Sequence, residues 1–90
     1  MNLDIPYRLA PGVAIRPERF GGLAYRYDNR RLFFLHSHEL VAFVRELDGA
    51  KTLRQALDDF IGAQGLPGSV RETLVKALTQ LRKLKILDSP

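Results

Sequence analysis

Two histidines, His36 and His38, are the residues of this chain best suited to binding a metal ion, and they are two positions apart. A structural or catalytic metal needs three or four converging ligands. The sequence contains no cysteine, and no set of acidic residues accompanies the pair. We therefore interpret both histidines as residues of a strand-to-helix junction, and we expect neither a metal centre nor a cofactor.

Other chemically active residue types are also explained without catalysis. Asp58-Asp59 lies on the polar side of a predicted helix, which is typical of a solvated surface rather than of acid–base catalysis. Ser37 and Ser69 are expected to be helix caps, since neither has a histidine–acid partner set. Gly21-Gly22 interrupts a strand pattern and lacks the spacing of a phosphate-binding loop. The sequence therefore predicts that the chain is not an enzyme.

Composition is that of one small folded domain, because the 90 residues are 46% hydrophobic and 27% charged. The formal net charge of +4 is compatible with binding nucleic acid or an acidic peptide and selects neither. No apolar run approaches the length of a membrane span, and no signal-peptide pattern is present. We expect a cytoplasmic protein without a membrane partner.

Strand and helix patterns follow one another along the chain. We predict an N-terminal arm over residues 1–12 and a single domain over residues 13–87. Three strands are predicted from alternating, β-branched and aromatic residues: 13–16, 23–27 and 30–36. Pro17 stops the first strand and places it at a sheet edge.

Three helices are predicted from capping residues and apolar spacing. Their predicted limits are Ser37 to Gly49, Thr52 to either Gly62 or Gly65, and Ser69 to Leu84. The second and third begin with the spacing of a capping box. Strands followed by helices indicate an α+β fold, with a three-stranded antiparallel sheet followed by three helices.

The hairpin between the second and third strands determines which side chains face the core. With Asp28-Asn29 at the centre of the turn, Tyr25 lies opposite Leu32 and Leu23 lies opposite Phe34. We assign Leu23, Tyr25, Leu32 and Phe34 to the core face, and Ala24, Arg26, Arg31, Phe33 and Leu35 to the opposite face. A one-residue shift would exchange the faces, so whether Phe33 or Phe34 points inward stays open.

The predicted third strand is the central feature of the sequence. Its segment Leu32–Leu35 is apolar throughout, which is typical of a strand covered on both faces, yet the chain has too few strands to cover it. An apolar strand at a sheet edge pairs with another chain unless it is protected. We infer that a peptide pairs with it, in an apolar groove between this strand and the third helix. Two interpretations stay open for the basic residues of the hairpin and the third helix: ordinary solvated charges, which is the more common case, or a basic rim on both sides of this groove. These residues are Arg26, Arg30, Arg31, Arg71, Lys76, Arg82, Lys83 and Lys85.

Three segments, Tyr7–Glu18, Gly21–Tyr25 and Asn29–Leu35, closely resemble the mycofactocin-system peptide chaperones, which are MftB-like proteins. These belong to the PqqD-like family of precursor-peptide recognition elements. The segment Phe43–Gly49 resembles the first helix of that family and its Asp-Gly end. The resemblance extends over residues 7–87.

The resemblance implies a winged-helix-like unit in which the leader of a ribosomally made precursor peptide adds as a strand beside the third strand. The chaperone then presents the leader to a radical S-adenosylmethionine enzyme of mycofactocin biosynthesis. Carried over by position, the implied peptide-binding residues are Arg31, Leu32, Phe33, Phe34 and Leu35 on the strand, and Val70, Leu74, Ala77, Leu78 and Leu81 on the helix.

Among the alternatives, we favour a non-catalytic module that binds a peptide by β-augmentation. A winged-helix DNA-binding protein is the first alternative, but its recognition helix, Thr52–Ile61, would carry Asp58 and Asp59 against the single basic residue Arg54. That charge balance disfavours contact with a phosphate backbone and hence nucleic acid as a partner. A homodimer joined through edge strands is the second alternative.

Overall fold

A computed structural model describes residues 1–90 as two three-stranded antiparallel sheets and three helices. The elements in chain order are β1 (Pro6–Leu9), β2 (Val13–Glu18), β3 (Gly21–Arg26), β4 (Arg31–Leu35), α1 (His38–Glu46), β5 (Asp48–Thr52), α2 (Leu53–Gln64), α3 (Val70–Lys83) and β6 (Leu87–Asp88). The predicted α+β class is confirmed, with the predicted strands forming the sheet β2-β3-β4. No helix combines the length and the apolar character needed to cross a membrane.

The register of the β3–β4 hairpin is confirmed. Tyr25 pairs with Leu32 and Leu23 pairs with Phe34, as expected from the position of the turn. The positive backbone angle falls on Arg30 (φ 57°), although Asp28-Asn29 was the expected centre of the turn. Residues 27–30 therefore form a four-residue turn that preserves the predicted pairing.

The prediction for the core face of this hairpin is wrong. Ala24 and Leu35 are 0% and 6% exposed, whereas Leu32 and Phe34 are 53% and 61% exposed. The physical reason is a close approach of α1, since a Cβ added to Gly22 would lie 2.8 Å from a methyl group of Val41. Small residues therefore mark the face that the helix covers.

That result decides the orientation of the two phenylalanines on β4. Phe33 lies opposite Ala24 and packs, half-buried, against the core, while Phe34 points away from it. Arg26 and Arg31 pair with each other on the same side of the sheet as Phe33.

The second sheet, with strand order β5-β1-β6, was not predicted. Residues 6–9 of the expected arm form β1, and Tyr7 within it is only 2% exposed. Gly49 (φ 78°) lies inside β5 rather than ending α1, which ends at Glu46. These strands are two to five residues long and pair distant parts of the chain. Local patterns carry little information about such pairs.

Helix caps explain the remaining boundaries. The Ser37 hydroxyl accepts a hydrogen bond from the Leu40 N–H at 3.1 Å, and Thr52 caps α2 in the same way. Gly65 ends α2 in the left-handed region (φ 64°), which decides between the two glycines considered. Ser69 makes no side-chain capping bond, so the second predicted capping box is wrong.

Pro17 lies within β2, where an edge position tolerates its missing N–H.

Substitution by alanine should have opposite effects on stability at Gly21 in β3 and at Gly62 in α2. Gly21→Ala should lower stability by at least about 2 kcal/mol, because Gly21 has φ 143° and an added Cβ would overlap the Leu35 carbonyl oxygen. Gly62→Ala should raise it by about 0.5–1 kcal/mol, because nothing lies within 4 Å of the added Cβ. Urea unfolding followed by circular dichroism measures both changes, and equal effects would contradict the packing at Gly21.

Candidate functional site

β4 is an edge strand whose only charged residue is its first, Arg31. The strand order β2-β3-β4 leaves one side of β4 without a partner strand, and Leu32–Leu35 contains neither proline nor charge. The other edge strand, β2, contains Pro17 between Arg16 and Glu18, whose side chains form an ion pair at 2.6 Å. Because proline and charge are the usual protection of a sheet edge, the β4 edge is the less protected of the two edges of this sheet.

The core-facing side of β4 offers an aromatic surface at this open edge. Phe33 is half-buried, and the guanidinium carbon of Arg31 lies 5.1 Å from the centre of its ring. That distance is typical of a cation–π contact, which holds the Arg31 side chain over the ring. The next core-facing residue, Leu35, is 6% exposed and belongs to the core itself.

The α3 residues implied by the resemblance divide into two groups. Leu74, Leu78 and Leu81 are 3%, 0% and 3% exposed, so their side chains form the core. Val70 and Ala77 are half-buried and remain accessible along one flank of the helix. Residues seven positions apart lie on the same side of a helix.

Leu84 was not among the implied binding residues, although it belonged to the predicted apolar stripe. It follows Ala77 at the same seven-residue spacing and is 40% exposed. Val70, Ala77 and Leu84 therefore form an accessible stripe, here called the α3 flank. The seven-residue spacing of the α3 flank could have been recognised in the sequence, because the buried leucines of α3 are instead three or four positions apart.

The two predicted walls of the groove have few contacts with each other. β4 packs on β3 and α1, whereas α3 packs mainly on α2 and β6. β4 and α3 therefore pack on different neighbours, and the groove between them stays a prediction.

Arg26 links the β3–β4 hairpin to the end of α3, and sequence reasoning did not single it out for this role. Its guanidinium donates to the Lys85 carbonyl and to both carboxylate oxygens of Asp28, the latter at 3.2 and 2.8 Å. These hydrogen bonds lower the pKa of Asp28 below its ordinary value and raise the pKa of Arg26. The contact connects the hairpin to the segment that follows the end of α3.

The opposite side of the sheet presents a second apolar surface, here called the outer face. Its apolar residues are Ala14, Leu23, Tyr25, Leu32 and Phe34, flanked by Phe20 and Tyr27. Arg16 and Glu18 lie on the same side of β2 and form an ion pair with each other. The ring centres of Phe20 and Phe34 are 5.8 Å apart. Sequence reasoning missed this surface because it assigned these strand residues to the core.

His36 belongs to the aromatic group at the edge of the outer face. Its ring is stacked on that of Phe34, with centres 6.3 Å apart, and it also contacts Phe20 at 5.4 Å. The structure brings together no group of three or more histidine, aspartate or glutamate side chains that could hold a metal ion.

A small α+β domain with an open sheet edge has the features of modules that recognise an extended peptide by strand addition. The family model described as the peptide chaperone MftB family matches residues 6–88. The chain belongs to this family, and the resemblance noted in the sequence is confirmed.

Curated relatives agree with that assignment. The chain is 42% identical over 53 residues to the peptide chaperone MftB of Mycobacterium tuberculosis (strain ATCC 25618 / H37Rv), a match that covers 59% of this chain and 49% of that protein. It is 41% identical over 54 residues to the peptide chaperone MftB of Mycolicibacterium smegmatis (strain ATCC 700084 / mc(2)155), covering 60% and 53%. The chain thus matches about half the length of these relatives. They are named as chaperones and not as enzymes, in agreement with the prediction. No solved structure matches the chain.

The division of α3 predicts that neighbouring substitutions differ sharply. Leu78→Asp should lower stability by more than about 3 kcal/mol, because it buries a charge at a fully buried position. Ala77→Asp should cost less than about 1.5 kcal/mol, because the half-buried carboxylate can reach water. Urea unfolding measures both values. Near-normal stability of Leu78→Asp would contradict the orientation of α3, and only the Ala77 substitution is suited to testing binding.

Proposed function

We propose that this chain is a non-catalytic chaperone that binds the leader of a ribosomally made precursor peptide as an added strand beside β4. It then presents the leader to a radical S-adenosylmethionine enzyme in mycofactocin-type cofactor biosynthesis. The observation that carries the proposal is a difference between the two edges of one sheet. The apolar segment of β4 is unprotected, whereas β2 at the opposite edge is protected by proline and charge. Membership of a peptide chaperone family supports a peptide as the occupant.

The leader main chain supplies the general part of the binding. Alternate residues of an edge strand direct their N–H and C=O groups outward, where an added strand satisfies them. Side chains of the leader then point alternately to the two sides of the sheet. One set enters the groove and contacts Phe33 and the α3 flank, and this set supplies specificity.

Basic residues at the groove contribute mainly to the encounter with the leader. Arg71 forms an ion pair with Asp58 of α2, and Lys76 forms one with Glu72 of α3. Lys83 and Lys85 are exposed and form no ion pair in the structure. Acidic leader residues suit these positions, but exposed ion pairs contribute only about 0–1 kcal/mol each.

The DNA-binding alternative gains no support from α2. Arg54 forms an ion pair with Asp4 at 3.2 Å, so the only basic residue of that helix is already neutralised. Asp58 and Asp59 on the same helix are exposed and form ion pairs with Arg71 and Lys51. The helix therefore offers no unpaired basic side chain to a phosphate backbone.

Two adjacent phenylalanines give a matched test of the peptide site. Phe33→Ala should weaken leader binding about tenfold or more, because a leader side chain loses its aromatic contact in the groove. Phe34→Ala should weaken it by less than about threefold, because Phe34 lies on the other side of the strand. Fluorescence anisotropy of a labelled leader measures both, and Lys83→Ala serves as a rim control with a loss below about 1 kcal/mol.

Circular dichroism must first establish that Phe33→Ala folds, since Phe33 packs against the core. If it does not, Ala77→Asp tests the opposite wall of the groove. Equal losses for Phe33→Ala and Phe34→Ala, or normal binding by folded Ala77→Asp, would contradict the groove.

Salt dependence separates a peptide ligand from DNA. Leader binding should weaken by less than about tenfold between roughly 50 and 200 mM salt, because apolar contacts and main-chain hydrogen bonds release few counterions. A random duplex should bind more weakly and with a steeper dependence. Duplex binding that is tighter than leader binding would overturn the peptide proposal in favour of a nucleic-acid function.

A further inference from the structure

We infer that the outer face of the β2-β3-β4 sheet is the surface on which the peptide-modifying enzyme docks. This inference rests on the proposed function and names the surface that the second partner uses. The outer face is distinct from the groove, because side chains on it point to the side of the sheet opposite α1.

The outer face is apolar, exposed and covered by no element of the chain. Leu32, Phe34 and Tyr27 are 53%, 61% and 62% exposed. The largest apolar patch on a folded domain covers about 300–600 Å² and is often functional. The aromatic rings are already ordered against one another, since Tyr25 and Tyr27 meet edge-to-face with centres 4.9 Å apart.

A shallow depression in this face offers a place for an anchoring side chain. It has a volume of about 330 Å³ and is bordered by Arg16 and six hydrophobic residues: Ala14, Ile15, Leu23, Tyr25, Tyr27 and Leu32. The strongest contributions to a protein interface usually come from an apolar or aromatic side chain that fills such a pocket. The partner surface should therefore carry a protruding apolar residue.

The size of the outer face favours a transient partner over a stable dimer. Three strands about 4.8 Å apart and six residues long cover roughly 15 by 20 Å, or about 300 Å². A stable interface buries about 800 Å² on each partner. A chaperone that delivers a peptide and then leaves needs the weaker kind of contact.

Charge at the ends of the outer face disfavours a second copy of the chain. Arg19 and Arg30 lie in the two turns at opposite ends of β3, are exposed, and form no ion pair in the structure. Two copies placed face to face would bring these arginines together in either orientation. Like charges that meet across an interface repel each other, which disfavours a second copy as the partner. The fitting partner is a protein whose apolar surface is rimmed by carboxylates.

Position also connects this face to the proposed leader site. Leu32 and Phe34 belong to β4, so a leader paired with β4 would direct alternate side chains toward the outer face. An enzyme docked there lies beside the peptide without competing for the groove. This arrangement would let the chaperone hold the leader while the enzyme reaches the segment that it modifies.

Binding experiments with separate variants test the inference. The probes are a labelled leader and the purified radical S-adenosylmethionine enzyme encoded in the same gene cluster. Tyr27→Ala and Arg19→Glu should each weaken enzyme binding by about tenfold or more and leave leader binding within about twofold. Arg45→Glu is the control, since it makes the same charge change at an exposed position of α1 on the other side of the sheet. It should leave both affinities nearly unchanged.

Several results would overturn the inference. Enzyme binding that is absent in the wild type, or is unchanged in both outer-face variants, rules out this docking surface while normal leader binding preserves the proposed function. Loss of leader binding in Tyr27→Ala would place the peptide on the outer face instead. A concentration-dependent dimer in sedimentation that Tyr27→Ala abolishes would identify a second copy as the occupant. Binding of a labelled single-stranded oligonucleotide that Tyr27→Ala abolishes would identify nucleic acid.

Discussion

The close approach of α1 to β3 is the contact on which the arrangement of both surfaces depends. Gly22 and Ala24 leave room for the helix, and a Cβ on Gly22 would lie 2.8 Å from Val41 and 3.0 Å from the Arg16 carbonyl oxygen. Because side chains alternate along a strand, this one contact orients every residue in register with it on β2 and β4. Phe33 consequently lies on the core side of the sheet, and Phe34 faces solvent on the outer face.

The sequence predicted the pairing of the hairpin correctly but assigned its faces wrongly, and the reason is physical. Pairing depends on the turn, whose position can be recognised from Asp28-Asn29 and the flanking strands. The buried face depends on where a distant helix packs. Hydrophobicity favoured Leu23, Tyr25, Leu32 and Phe34, whereas packing selected the face on which β3 has its smallest residues, Gly22 and Ala24. The second sheet was missed for a related reason, since its short strands pair across the whole chain.

For the candidate site, the sequence was more informative about the edge strand than about the helix. An apolar strand at a sheet edge could be inferred from composition and strand count, and β4 lies at such an edge. The apolar stripe of α3 was too wide for the sequence to separate core from surface, because a single stripe serves both. Burial separates Leu74, Leu78 and Leu81 from the accessible α3 flank, so the helical wall of the groove is narrower than the stripe.

The length of β4 limits what main-chain pairing can contribute. Five residues offer two or three that direct their N–H and C=O groups outward, so an added strand forms about four to six hydrogen bonds. At a net gain of about 0.5–1.5 kcal/mol each, these bonds supply roughly 2–9 kcal/mol. Association and ordering of the peptide cost about 4–15 kcal/mol. Main-chain pairing alone would therefore leave little or no net affinity, and in the proposed complex the leader side chains would have to supply most of it. Because main-chain hydrogen bonds contribute so little net affinity, unrelated strands would bind weakly to β4. The open edge would therefore remain selective.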